Sequence, residues 1–353
     1  MADGVRLAGE WLPPGAEGPL LAAEREDLRQ LGRFLRIWWN DQPTITFHTS
    51  GSTGAPQPIV FEKKIVIQAA QRSVSVLGIP PGSRALLSLP LTYIAGQMMV
   101  IRALVAGLDL IPVPPSTSPW NESLPTIHLA AFTPHQLSHQ DLLAAVREVL
   151  ADDGVLLLGG APVSPDLEEQ VQCLPGRVYE TYGMTETLTH VALRSIVPER
   201  EESFSPLPGV RLSVDPDSCL VIEDALQPGK KIRTHDVVEL DQDHFRWIGR
   251  LDRVINSGGI KIQPERVEAV LRTRVPDVPF FVGALPHKRL GEEVGLWIES
   301  SPDPRLEHRF RRACTALPSV QRPRKILFLP EFRYTPTGKV DRLGTIDRWR
   351  TQK

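Results

Sequence analysis

The sequence predicts an α/β fold: a large layered N-terminal domain, a β-rich segment that distorts its end, and a small α+β module at the C-terminus. Three observations carry this. Up to Pro206, short apolar runs alternate with stretches of helical spacing, the pattern of strands and helices packed in layers. After Pro206 the runs are short and strand-like. From Leu251 onward two helical stretches alternate with two apolar strands. The domains are therefore placed at residues 1–250 and 251–353.

The elements follow in order. TITFHTS (44–50) alternates as a half-buried strand and runs into a Ser/Thr/Gly loop, with PIVF (58–61) as the returning strand. KKIVIQAAQRSVSVLG (63–78) has helical apolar spacing and closes on Gly78, a C-cap residue. RALLSLP (84–90) is a buried strand, AGQMMVIRALVAG (95–107) a helix and LDLIPVP (108–114) a strand. Beyond the Pro/Ser-rich loop 114–125, TIHLAAFTP (126–134) is a strand and HQDLLAAVREVLAD (139–152) a helix. GVLLLGG (154–160) and RVYETYG (177–183) are strands that end in loops. GVRLSV, CLVIED, DVVEL and FRWIGR make up the β-rich segment. KIQPERVEAVLRTR (261–274) and RLEHRFRRACTALP (305–318) are the C-terminal helices, with PFFVGALP and EVGLWIES as strands.

Composition narrows the function. A net charge of −2 gives no global field for nucleic acid or an anionic membrane. No apolar run reaches the roughly 18 residues of a bilayer span, and MADGVRLAGEWLPPG lacks the basic and apolar regions of a secretory signal. Cys173, Cys219 and Cys314 are odd in number and far apart, which fits a reducing compartment better than a disulfide framework. A cytoplasmic protein with small-molecule partners is expected, with neither nucleic acid nor membrane among them.

The loop after the first strand, Thr49, Ser50, Gly51, Ser52, Thr53 and Gly54, offers backbone amides and hydroxyls without bulk, as a phosphate requires. It is not a Walker A loop, because Ala55 stands where the lysine belongs. Alone it reads first as a plain surface turn, since such clusters are common in loops. Four further stretches change the weighing: YETYGMTET (179–187), RTHDVVEL (233–240), IGRLDRVINSGGIKIQPERVE (248–268) and TPTGKVDR (335–342). In order and separation the five resemble the adenylate-forming superfamily of acyl- and aryl-CoA ligases, firefly luciferase and peptide-synthetase adenylation domains. The resemblance runs from Thr44 to Arg342.

The resemblance implies the fold of those enzymes and their two-step chemistry. A carboxylate attacks the α-phosphate of ATP, pyrophosphate leaves, and the acyl group passes to the thiol of coenzyme A. Positioning and electrostatic stabilisation do most of that work. By the same resemblance, Thr49 to Gly54 hold the outer phosphates, and Tyr182 with Gly183 lies against adenine, opposite Gly159, Gly160 and Ala161. Thr185 reaches the α-phosphate and Glu186 ligates Mg²⁺. Asp236 receives the ribose hydroxyls, supported by Arg250, and Lys339 bridges the carboxylate and the α-phosphate. Asp252 is the hinge on which the mobile C-terminal domain turns between half-reactions, bringing Ser257, Gly258, Gly259 and Lys261 to the thiol side. Simpler roles exist for these residues: a helix-start carboxylate for Glu186, turn residues for Asp236 and Lys339, a core aromatic for Tyr182, a linker aspartate for Asp252.

Within the superfamily, LSLPLTYIAGQMMVIRALVAG (87–107) and LLGGAPV (157–163) most resemble o-succinylbenzoate–CoA ligases of menaquinone biosynthesis. Tyr93 and Gly96 fall in the substrate stretch, and Arg102 on the following helix is expected to anchor the acid's unreacted carboxylate. Departures accompany the match. Gln57 stands at the usual lysine of the phosphate loop, with Lys63 or Lys64 as candidate replacements; Tyr93 replaces a frequent histidine; His235 replaces a glycine and is expected to add bulk near ribose. The lead-in before the phosphate loop is short, so a shortened fold and apolar surface covered by a second subunit are expected. Another aryl-CoA ligase, an enzyme charging a carrier protein, or a silent acyl-adenylate binder are the alternatives. His135 and His139 have metal-ligand spacing, but Gln136 occupies the glutamate position of zinc proteases, and surface histidines are expected.

Overall fold

The computed structural model describes residues 3–49, 56–120, 123–334 and 340–351. The chain divides into two compact units, one of residues up to Leu212 together with Ile222–Ile232, the other of Ser213–Val221 together with Arg233 onward.

The first unit contains β1 (Val5–Leu7), β2 (Glu10–Leu12), α1 (Gly18–Leu21), α2 (Glu26–Trp39), β3 (Thr44–His48), β4 (Pro58–Glu62), α3 (Lys63–Leu77) and β5 (Arg84–Leu87). It continues with α4 (Ile94–Ala106), β6 (Asp109–Pro112), β7 (Ile127–Phe132), α5 (Pro134–Leu137), α6 (Gln140–Val149) and β8 (Leu150–Leu158). Then come α7 (Pro165–Gln170), β9 (Arg177–Gly183), β10 (His190–Val197) and β11 (Ser205–Pro206). A nine-stranded sheet in the order β11-β10-β9-β8-β7-β5-β6-β1-β2 forms its centre. Strands β9, β8, β7, β5, β6 and β1 pair in parallel, and antiparallel neighbours close both edges. Parallel strands are covered on both faces, which is why Val155–Leu158 reads as an unbroken apolar run and is wholly buried. Helix α4 has no polar side because it too is enclosed: Met98, Met99, Val100, Ile101, Ala103 and Leu104 are all buried. The expected ends of α3 and α4 hold, with Gly78 and Gly107 left-handed at φ 65° and 63°. Strands β3 and β4 form a separate antiparallel hairpin that buries Ile45, Phe47 and Phe61.

Two expected boundaries are wrong: Lys261 and Ile262, read as the start of a C-terminal helix, lie in a strand and that helix begins at Pro264, and a second boundary shifts at residue 150. Helix α6 ends at Val149 rather than Asp152, and β8 starts at Leu150, which already pairs with Ile127 of β7. Sheet pairing is non-local and overrides helical spacing there. Helix α2 was legible but not read: Leu31, Phe34, Leu35 and Trp38 follow the i, i+3, i+4, i+7 spacing and are its buried stripe.

Strands β12 (Val210–Val214), β13 (Cys219–Asp224), β14 (Lys231–Asp241) and β15 (His244–Arg250) form a four-stranded sheet in chain order. Beyond Arg250 the second unit comprises β16 (Ile255–Ser257), β17 (Ile260–Ile262), α8 (Pro264–Arg272), β18 (Phe280–His287), β19 (Gly291–Glu299), α9 (Pro304–Cys314), β20 (Lys325–Leu329) and α10 (Arg342–Thr351). Its sheet runs β17-β16-β19-β18, with β20 parallel to β19. Alternation along β18 and β19 serves two cores at once. Phe280, Val282, Leu296 and Ile298 pack in one with Phe310, while Phe281 and Trp297 pack in the other with Phe332 and Ile346. Among the described residues no helix is long and apolar enough to cross a membrane.

Candidate active site

In the first unit several of the expected site residues lie where β9 turns into β10. Gly183 ends β9 at a reversal so tight that a Cβ would lie 2.5 Å from the Thr189 carbonyl oxygen. Thr187 braces the turn: its Oγ1 accepts the Met184 N–H at 2.9 Å and lies 2.9 Å from the Thr189 carbonyl. Thr185 is buried on this turn, and Glu186 is half-buried beside it. Among the described residues the Glu186 carboxylate has no partner, while its main-chain carbonyl accepts from Lys230 Nζ at 3.3 Å and Gln227 Nε2 at 3.4 Å. Lys230, which no motif marked, also lies over the Phe61 ring of β4, 5.3 Å from its centre.

Gly159 follows β8, and a Cβ there would meet Thr181 Oγ1 of β9 at 2.3 Å. Gly160 has φ +83°, a conformation that favours glycine. The loop that begins here is tied to β9 again by Glu180, whose Oε1 accepts the Val163 N–H at 2.9 Å. Tyr182 meets Phe204 edge-on at 5.9 Å between ring centres.

Arg102 is 4% exposed. Its Nε donates to Ser73 Oγ of α3 at 2.9 Å, and one Nη to Thr189 Oγ1 at 2.6 Å, with His190 Nδ1 at 3.4 Å. The other Nη reaches the Met99 sulfur, at 3.5 Å. Among the described residues no carboxylate pairs with this guanidinium. Burial pulls its pKa down to about 10, so it stays charged at neutral pH. Burial likewise depresses His190 well below the usual imidazole range, and the neighbouring Arg102 and Arg72 charges add to that. Ser73, Thr189 and His190 went unread because they lie 29 to 117 residues from their partners in this network. At the start of α4, Gly96 packs so closely that a Cβ would sit 2.4 Å from the Pro90 carbonyl oxygen, and Tyr93 precedes the first helical turn.

The ends of the Ser/Thr/Gly loop are clamped. Thr49 N–H donates to the Gln57 carbonyl, and Gln57 N–H donates to Thr49 Oγ1, both at 3.0 Å. Ser50, Gly51, Ser52, Thr53 and Gly54 lie outside the described residues, as does Lys339. Neither lysine offered in place of Gln57 stands free: Lys63 is buried and donates to the Asn40 carbonyl and Oδ1 at 2.7 and 2.8 Å, and Lys64 pairs with Glu62 at 2.7 Å.

In the second unit, Asp236 of β14 faces Arg250 of β15 across the ladder, at 3.7 Å, and accepts from Trp247 Nε1 at 3.2 Å. Asp236 is buried and His235 exposed, as strand alternation requires, so the imidazole is on the opposite face from the Asp236 carboxylate. Arg250 also grips Asp252 with two nitrogens, at 3.0 and 2.8 Å, which lowers the Asp252 carboxyl below its ordinary range. Gly258 and Gly259, at φ +60° and +86°, turn the β16–β17 hairpin between Ser257 and Ile260. Lys261 is exposed, 3.7 Å from Asp217. His135 and His139 are exposed and meet edge-on, and no group of three metal-binding side chains occurs among the described residues.

A family model described as AMP-binding enzyme matches residues 14–225, more than half of the chain. The chain belongs to this family. It is 33% identical to an acyl-CoA synthetase (AMP-forming)/AMP-acid ligase II-like protein from Dyadobacter fermentans, with TM-score 0.60 over 92% of this chain and 95% of that one. It is 31% identical to the 2-succinylbenzoate--CoA ligase of Salmonella typhimurium, covering 74% of this chain and 60% of that enzyme. Against the "Probable non-canonical nonribosomal peptide synthetase (NRPS) CymA" of Salinispora arenicola it is 29% identical, over 86% of this chain and 4% of that protein. The chain thus spans 60% and 4% of the length of these two curated relatives, less than two thirds of either. Its α/β architecture with a large central sheet is the adenylate-forming fold expected from the motifs.

Proposed function

We propose that this AMP-binding family member is a cytoplasmic, two-step acid–thiol ligase that converts o-succinylbenzoate to o-succinylbenzoyl-CoA for menaquinone biosynthesis. The observation that carries the choice of acid is Arg102. A guanidinium buried without a carboxylate is strongly unfavourable, and a second carboxylate on the substrate would supply the missing charge. The 2-succinylbenzoate--CoA ligase likeness supports the same acid.

In the first step a carboxylate oxygen of the acid attacks the α-phosphorus of ATP and the bond to pyrophosphate breaks. In the second, the coenzyme A thiol loses its proton to solvent, its sulfur attacks the acyl carbon, and AMP leaves. Thr49 to Gly54 cradle the outer phosphates, Thr185 holds the α-phosphate, and Tyr182 with Gly183 faces Gly159, Gly160 and Ala161 across adenine. Asp236 and Arg250 hold the ribose. Lys339 bridges the reacting carboxylate and phosphate. Tyr93 and Gly96 shape the acid pocket that Arg102 anchors. Asp252 is the hinge of a mobile domain from residue 251 onward, and Ser257, Gly258, Gly259 and Lys261 serve the thiol side. The unpartnered carboxylate of Glu186 fits Mg²⁺, which commonly takes one or two protein carboxylates and completes its shell with phosphates and water. When bound, the ion neutralises phosphate charge.

ATP–pyrophosphate exchange with a panel of acids, followed by coenzyme A-dependent AMP release, tests this. Exchange and thioester formation with o-succinylbenzoate alone is expected. Exchange with a different acid overturns the pathway, and no exchange with any acid overturns the enzyme. The likeness to a peptide synthetase favours one second reading, transfer to a carrier-protein thiol, which AMP release with a holo carrier protein in place of coenzyme A would reveal.

A further inference from the structure

Resting on the nucleotide-binding reading above, we propose that Glu180 is a positioning residue that sets the gap between the two walls of the adenine slot. Glu180 lies on β9 two residues before Tyr182, and its side chain is almost wholly buried. One carboxylate oxygen accepts the Val163 N–H at 2.9 Å and so ties down the segment that begins at Gly159. The other accepts from Arg194 of β10 twice, through Nε at 2.8 Å and Nη2 at 2.6 Å.

Arg194 carries the tie onward. It also pairs with Glu168 of α7 and donates to the Glu201 carbonyl at 3.0 Å. Its guanidinium lies over Phe204, 5.8 Å from the ring centre, and Phe204 is the ring that meets Tyr182 edge-on. One carboxylate therefore connects the Gly159–Val163 segment at one oxygen and, through Arg194 and Phe204, the Tyr182 ring at the other. A hydrophobic replacement of such a buried ionic cluster is often as stable, so stability alone does not account for it. Charge-assisted bonds fix distance and direction, which apolar packing does not.

The test uses the full chain and two probes, AMP and inorganic tripolyphosphate, measured by titration calorimetry. Glu180→Gln keeps the shape and the bond to Val163 but removes the charge opposite Arg194. It is expected to weaken AMP about ten- to a hundredfold, the scale of one lost charge-assisted hydrogen bond. Tripolyphosphate binding, and the KM for the acid, should be unchanged. KM for ATP should rise with kcat at saturation held within about twofold, since the reacting groups are untouched. Arg194→Lys keeps the charge but loses the planar fork; it should show the same selective loss and serves if Glu180→Gln does not fold. Equal weakening of both probes, or none, overturns the positioning role. Failure of the unaltered chain to bind AMP at all would instead overturn the nucleotide reading.

Discussion

At the scale of one residue, the proposed recognition of the acid rests on Arg102. Its surroundings are hydroxyls, a neutral imidazole and a thioether, so among the described residues no group balances its charge. Arg102→Lys should raise KM for a diacid about ten- to a hundredfold, the worth of roughly 1.5–3 kcal/mol for bonds to a charged group. KM for ATP, and for an acid with a single carboxylate, should stay the same; equal losses for both acids in the exchange assay would remove the anchor. His190 makes a prediction about pH. Its folded pKa lies below the unfolded value of about 6.5, so below that pH the unfolded chain binds a proton the folded one refuses. The stability is complete above pH 6.5 and drains away as pH falls, by at most about 1.4 kcal/mol per unit. Urea unfolding at pH 7.5, 6.5 and 5.5 should show His190→Asn with a shallower decline than the native chain.

At the scale of elements, the β9–β10 turn and the loop after β8 are held by close backbone approaches. Gly159 leaves no room for a Cβ beside Thr181. Gly159→Ala should therefore displace the loop, raise KM for ATP about tenfold or more and lower Tm. An alanine variant with native ATP kinetics would show that the loop does not line the nucleotide. In the second unit, Glu268 of α8 is buried and joins two elements, accepting the Val282 N–H of β18 at 2.8 Å and Arg342 of α10 at 2.7 and 2.9 Å. Glu268→Ala removes these bonds but leaves Arg342 partly exposed and 3.9 Å from Glu265, so it should cost roughly 1.5–3 kcal/mol, read as a fall in the midpoint of denaturant unfolding.

For the whole molecule, the two half-reactions proposed would separate residues by the step they serve. Lys339→Ala should slow exchange by about 10²–10³, while thioester formation from synthetic acyl-adenylate proceeds near the native rate and circular dichroism is unchanged. Equal loss in both steps would assign the lysine to folding or to general binding. Much of the architecture behind these steps was legible. Helices α3 and α4 carry their own periodicity and glycine caps, and the parallel strands are apolar runs of the right length. The start of β8 was not legible, because pairing of Leu150 with Ile127 is decided across the sheet.

The chain by itself determined the family, the order of its elements and the glycine- and hydroxyl-rich loops, since each of these depends on neighbours in sequence: a period, a cap, a contiguous motif. Only the tertiary structure decided which charges are paired. Among the described residues it enclosed Arg102 without a carboxylate, gave Glu180 to Arg194 and Val163, committed Lys63 to Asn40, and set Lys230 beside Glu186. Those outcomes depend on which distant strand or helix delivers the partner, and on how little water is left between them. Local spacing encodes neither.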